Sequence, residues 1–194
     1  MRKLVLLLTV GLMLTGIVVA VRGDTEGSAS AHVFVNVDPN VGVQASTAIV
    51  DAGTVQTGDF SATIDFRVDA NLQVVTFYAV ASPLFKGDDP LGTEVPPIPL
   101  NLSEGIEIDP DNANPLEGGS QVAAFISGSN EDIDGFPGVP TEQITFESSQ
   151  NNHFSQNVRL TVTWNQDDPE KPTGEYSGKV KLWALLLGSS ITTP

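Results

Sequence analysis

The sequence predicts an all-β fold of two packed antiparallel sheets, on three observations. Apolar residues recur at spacing two in short segments, clusters of Gly, Pro, Asn and Asp separate those segments, and helical periodicity is almost absent. Spacing two marks a strand with one face in a core and the other in water.

In chain order, the clearest segment is His32 to Val43. There Val33, Val35, Val37, Val41 and Val43 share one face, Asn36, Asp38 and Asn40 take the other, and Phe34 alone breaks the polar side. Thr47 to Val50 is a weaker strand. Ala62, Ile64, Phe66 and Val68 then alternate with Asp65 and Arg67, and Val74 to Ala81 follows as an apolar run. Ile106 to Ile108, Val122 to Ile126 and Ile144 to Phe146 are short candidates. Val158, Leu160, Val162 and Trp164 alternate with Arg159, Thr161 and Thr163, and Lys179 to Leu187 closes the series. About eight or nine strands with turn-rich spacers make a two-sheet sandwich. Two stretches read as long loops or proline-blunted edges: Lys86 to Pro99, with Pro90, Pro96, Pro97 and Pro99, and Asp109 to Ser120.

At the N-terminus, Arg2 and Lys3 precede an apolar run from Leu4 to Val21, the layout of a secretory signal peptide. Small residues at Ala29-Ser30-Ala31 place cleavage after residue 31, so the mature chain is expected to start at His32. The alternative is an uncleaved anchor, because the apolar run approaches the length of a bilayer span. Cleavage leaves nothing for stable membrane insertion. The expected organisation is a signal peptide at 1–31, an N-terminal strand at 32–43, one sandwich domain at 44–187 and a loose tail at 188–194. The expected destination is across the inner membrane, at the cell surface or in an extracellular fibre.

The chain has no cysteine. A lipid-modified N-terminus and disulfide staples are therefore both excluded, and stability must come from the core or from neighbouring subunits. The 24 acidic residues against 9 basic ones give a formal net charge of −15. Such a surface repels phosphate backbones and anionic lipid heads, which argues against nucleic acid and membrane surfaces as partners. Cations and basic protein surfaces remain compatible with it.

Raw material for catalysis is scarce. His32 and His153 are the two histidines, and there is no G-x-S-x-G elbow, so nucleophilic triads and zinc sites lack their parts. His153 lies in the polar run Ser148 to Gln156 and reads as a solvated side chain. A secreted hydrolase built on paired carboxylates is the third reading, resting on the abundance of acids. The expectation is a protein that is not an enzyme and has no cofactor. The sharpest local motif is Asn130-Glu131-Asp132-Ile133-Asp134-Gly135, in which Asn130, Asp132 and Asp134 set oxygens at alternate positions before a glycine, as at the start of a calcium loop. The twelfth position is Thr141, and Glu142 comes one residue late. The expectation is therefore an acidic turn that binds calcium weakly or not at all. A second cluster, Asp109, Asp111, Asn112 and Asn114, is interrupted by Pro110 and Ala113.

A strand with five valines on one face buries that face either in its own domain or in a groove of a neighbouring subunit, by strand addition. Position favours the second course, since a strand at the extreme mature N-terminus leaves the fold without breaking a loop.

The run His32-Val-Phe-Val-Asn-Val-Asp-Pro-Asn-Val-Gly-Val43 resembles the opening of pilins of the colonisation-factor-antigen group, assembled by the alternate chaperone–usher route, which also lack cysteine. Gly174-Glu-Tyr-Ser-Gly-Lys-Val-Lys-Leu182 is similar to the last-strand pattern G-x-Y-x-G-x-V-x-L of fimbrial subunits. The resemblance implies an immunoglobulin-like sandwich whose donor strand carries Val33, Val35, Val37, Val41 and Val43. It also implies an acceptor groove edged by Lys179 to Leu187, with Val180, Leu182, Ala184 and Leu186 along it. The implied partners are identical subunits, a periplasmic chaperone and an outer-membrane usher, and the implied role is structural, in an adhesive surface fibre or pilus. The resemblance covers the two ends; residues 86–138 match nothing in it, and the tail after Leu187 departs from members that stop soon after this strand. The rival from another class is a secreted monomeric β-sandwich module that binds calcium or carbohydrate.

Overall fold

The computed structural model describes residues 32–186. The chain divides into two units, Met1–Val37 and Asp38–Pro194. Of the first, His32 to Val37 are described: they carry no regular secondary structure and stay exposed.

The second unit is all-β. Its strands are β1 (Val41–Ala45), β2 (Gly58–Ala70), β3 (Val74–Ala81), β4 (Phe85–Lys86), β5 (Ile106–Pro110), β6 (Ala113–Pro115) and β7 (Val122–Ala123). There follow β8 (Glu131–Ile133), β9 (Phe136–Pro140), β10 (Ile144–Ser148), β11 (Phe154–Gln166), β12 (Tyr176–Ser177) and β13 (Val180–Leu186). One sheet runs β1-β2-β11-β5-β7; the other runs β6-β10-β3-β9-β8, with β13 added on β3; β4 and β12 form a small ribbon. All the described pairs are antiparallel.

The longest pairing joins β2 to β11 along their full lengths, Gly58 opposite Gln166 and Ala70 opposite Phe154. Ile64, Phe66 and Val68 of β2 and Val158, Leu160 and Val162 of β11 are buried, as the alternation predicts. Val75, Phe77 and Ala79 of β3 belong to the same core. The Phe77 ring meets Phe154 edge-on at 5.4 Å and Phe146 at 5.8 Å, tying the two sheets together. Two antiparallel sheets sharing one core are consistent with a β-sandwich.

Several expectations change in the structure. The strand expected over Val33 to Val43 is realised at Val41–Ala45. Its partner β2 ends at Ala70, so no residue is left to pair beyond Asn71. Thr47 to Val50 forms no strand, because β1 already occupies the adjacent edge of β2. Val122 to Ile126 shortens to β7 plus one bridge from Phe125 to Thr141. Of the two readings of Asp109 to Ser120, the proline-blunted edge holds and the long loop does not: the stretch contains the end of β5, then the edge strand β6 closed by Pro115, and a 3-10 turn at Leu116–Gly118. The side chain of Gln156 accepts the Asn112 amide there, and Ser149 donates to the Asn112 carbonyl at 2.9 Å.

The glycine-tyrosine run near the C-terminus has a packing origin. The Tyr176 hydroxyl donates to the Pro172 carbonyl at 2.8 Å. At Gly178 a Cβ would sit 2.7 Å from both the Pro83 carbonyl oxygen and Ser82 Oγ. That close approach lets Ser82 N donate to the Lys179 carbonyl and Lys179 N to Ser82 Oγ, each at 2.9 Å, which starts the β13–β3 ladder. Gly178→Ala is therefore expected to destabilise the domain by about 1–3 kcal/mol through overpacking, read as a lower melting temperature. An unchanged melting point would show that the contact relaxes freely.

Candidate functional site

The two sheets end differently on their two sides. On one side the edges are β7, β6 and β8, two or three residues long, with Pro115 closing β6. Short strands and proline blunt an edge against further pairing. On the other side lie β1, of five residues, and β13, of seven, each paired along one edge among the described residues. Parts of β1 and β13 approach within 8 Å, Cα to Cα. The turn from Ala70 to Val74 explains this convergence: Val41 stands opposite Ala70 at the end of β2, and Leu186 stands opposite Val75 at the start of β3.

Hydrogen-bond parity decides what these edges offer. In an antiparallel ladder a residue sends both its N–H and its C=O to the same side, and successive residues alternate. Ser82 N donates to the Lys179 carbonyl, so Lys179, Lys181, Trp183 and Leu185 face β3 with their backbone groups. Bonds on the far side of β3 agree: Ala79 accepts from Thr141 N at 2.9 Å and donates to Thr141 Oγ1 at 3.1 Å. Val180, Leu182 and Ala184 therefore present their amides and carbonyls to the open edge. Their side chains lie against the core, Leu182 buried and Val180, Ala184 and Leu186 half-buried. The same reasoning on β1, from Asn71 N to the Asn40 carbonyl and Ser46 N to the Asp65 carbonyl, turns Val41, Val43 and Ala45 to the open edge. They lie opposite the buried Ala70, Val68 and Phe66, yet Val43 is 38% exposed and Ala45 is exposed. The site is thus a slot bordered by two rows of outward-facing backbone groups, with the apolar side chains of β13 as its floor.

The outer face of β13 anchors the strand. Trp183 stacks on Tyr78 of β3, with centroids 5.9 Å apart, and Lys181 Nζ lies 4.5 Å from the Trp183 ring centre. Burial, with Glu131 adding to it, pushes the Tyr78 hydroxyl pKa up, so it stays neutral.

The sequence-predicted residues distribute unevenly. Val180, Leu182, Ala184 and Leu186 lie together on the slot face of β13. Val41 and Val43 belong to β1 and pair within the domain. Val33, Phe34, Val35 and Val37 are 87%, 79%, 83% and 77% exposed. Asn130, Asp132 and Asp134 lie on a tight hairpin between β8 and β9. Positive φ at Asp134 (51°) and Gly135 (90°) makes this a primed turn, and Asp132 Oδ1 accepts the Gly135 amide at 3.1 Å. The hairpin buries Ile133 and Phe136 with Val80 and Phe85 outside the main core, and Gly138 sits where a Cβ would meet Ile133 and Val80. Asp134-Gly135 is the local hairpin signal, since both residues take the positive φ that a primed turn requires. Calcium at millimolar concentration is expected to leave the melting temperature unchanged; a rise of several degrees that disappears in Asp132→Ala would assign a metal loop instead.

Among the described residues, no group of three or more His, Cys, Asp or Glu side chains is placed to hold a metal ion. His153 is exposed, with Nδ1 2.9 Å from the Asn151 carbonyl. On the outer face of the first sheet, Arg159 lies 3.4 Å from Asp65 and 3.5 Å from Asp109, and Arg67 bonds Asp69 at 2.8 Å. The Arg67 guanidinium and the Ser155 hydroxyl hold the Asp69 carboxyl below its usual range. An open groove of about 350 Å³ beside β6 is lined by Asn114, Pro115, Leu116, Glu147, Ser148 and Ser149. No described helix is long and apolar enough to cross a membrane. The chain matches no protein-family model and no curated protein.

Proposed function

We propose that this chain is the structural subunit of a bacterial surface fibre or pilus and that it polymerises by lending its N-terminal apolar segment to the slot of another copy. The observation that carries the reading is the presence in one chain of an open edge and of an exposed segment with apolar residues at strand spacing. The edge of β13 offers the backbone groups of Val180, Leu182 and Ala184 above an incompletely covered apolar floor. Val33, Val35 and Val37 supply three apolar side chains at strand spacing, all exposed. Burying them gains about 1.5–3 kcal/mol each, roughly 5–9 kcal/mol before ordering costs. One donor segment and one long acceptor side per subunit make a head-to-tail contact, which grows an open filament when its rotation does not close a ring. Blunted edges on the opposite side favour an unbranched chain.

On this reading the sandwich is immunoglobulin-like and lacks its closing strand, the lent segment filling the gap. Export through the inner membrane, a periplasmic chaperone, an outer-membrane usher and adhesion follow from the same proposal. The test is electrophoresis of secreted protein without boiling, where ladders that collapse on heating are expected. Excess free peptide His32 to Val37 should shorten them, and the same peptide carrying Val35→Asp should not. Consistent absence of ladders from native secreted material would refute the proposal.

A further inference from the structure

Resting on that fibre reading, we infer that Asn71 sets the length of the lent segment: it holds Val41–Ala45 in its own domain as β1 and leaves His32 to Val37 for the neighbouring copy. Sequence patterning runs the apolar face on from Val33 to Val43 with one break, at Pro39, and does not by itself say where lending should stop. The boundary is built at the turn that follows β2. The Asn71 side chain accepts the Asn40 amide at 2.7 Å and donates to the Asp38 carbonyl at 2.9 Å, while its own amide donates to the Asn40 carbonyl at 3.2 Å. Asparagine suits this position because its amide carries a donor and an acceptor on one short side chain; Asp lacks the donor and Ala lacks both. β2 ends at Ala70 and offers no strand residue beyond Asn71, so the ladder stops at the clamp. The division of the chain into units falls at the same place, between Val37 and Asp38. Apart from this clamp β1 is weakly held, since four of its five residues are exposed.

The experiment locks β1 to β2 outside the slot. Gln44 and Arg67 are opposite each other on the outer face, and parity makes them a hydrogen-bonded pair, with Cα atoms about 5.5 Å apart, a span a disulfide bridges. In a chain without cysteine, Gln44→Cys with Arg67→Cys adds one defined bond. Oxidised and reduced forms are expected to give the same ladders, because β1 never leaves home. Monomer on oxidation with ladders on reduction would overturn the inference while leaving strand lending intact. Hydrogen exchange on wild-type ladders gives the answer without substitution. The Gly42 and Gln44 amides, bonded to β2, should stay as protected as in the monomer, and their loss of protection in the polymer would overturn it too.

Asn71→Ala is expected to speed exchange at those two amides about tenfold and to lower ladder yield, with Asn71→Asp intermediate. In the oxidised Gln44→Cys/Arg67→Cys background Asn71→Ala should no longer lower the yield, a rescue that a general loss of stability would not show. Failure of that rescue, with ladders otherwise normal, would remove Asn71 from the role. Absence of ladders from wild type would sink the fibre reading, and this inference with it.

Discussion

On the strand-lending proposal, Val35→Asp is expected to abolish ladders and leave the monomer as stable as wild type. Val35 is 83% exposed, and substitutions at such positions usually change stability by within about 0.5 kcal/mol. In the slot the same side chain would face Leu182, Val180 and the core behind them, where an unpaired carboxylate costs several kcal/mol. A cost of about 4 kcal/mol lowers an association constant roughly a thousandfold, so ladders should vanish at any practical concentration. The measurement is an unboiled gel beside a thermal melt of the same sample. Unfolding of the monomer would mean that the segment completes its own domain, and persistent ladders would mean that subunits associate through another surface.

Proline scanning of β13 should separate fold from assembly by a single residue. Leu185 stands opposite Thr76, and its amide faces β3, so Leu185→Pro removes a ladder bond and crowds the partner. A loss of about 3 kcal/mol or more is expected, lowering the melting temperature by roughly 6–12 °C. Ala184, one residue earlier, turns its amide to the open edge, where proline is tolerated. Ala184→Pro is expected to fold and melt near the wild-type temperature but to accept no incoming strand, since the donor at that position is gone. Equal destabilisation by the two changes would refute the parity assignment. Normal ladders from Ala184→Pro would move the acceptor from β13 to β1.

What the sequence determined was the set of strands that bury one face. The segments at Ala62 to Val68 and Val158 to Trp164 became the centre of the core, because a period of two with a consistent apolar face suits a half-buried strand whatever it pairs with, and the apolar run Val74 to Ala81 joined them, buried on both faces. The last strand also stood where its alternation placed it, and Val180, Leu182, Ala184 and Leu186 share its inner face. Pairing was a different matter, since alternation names no partner. Val33 to Val43 reads as one strand, yet only its end found β2, because β2 stops at Ala70 and Asn71 ties the chain at Asp38 and Asn40. The motif from Asn130 to Gly135 starts like a cation loop but, with its twelfth position out of register, reads as an acidic turn; burial of Ile133 and Phe136 made it a hairpin. Which edges stay open, and which amides point out of them, follows from the order of strands in the two sheets. That order is set by contacts between residues far apart in the chain, and local periodicity carries no record of them.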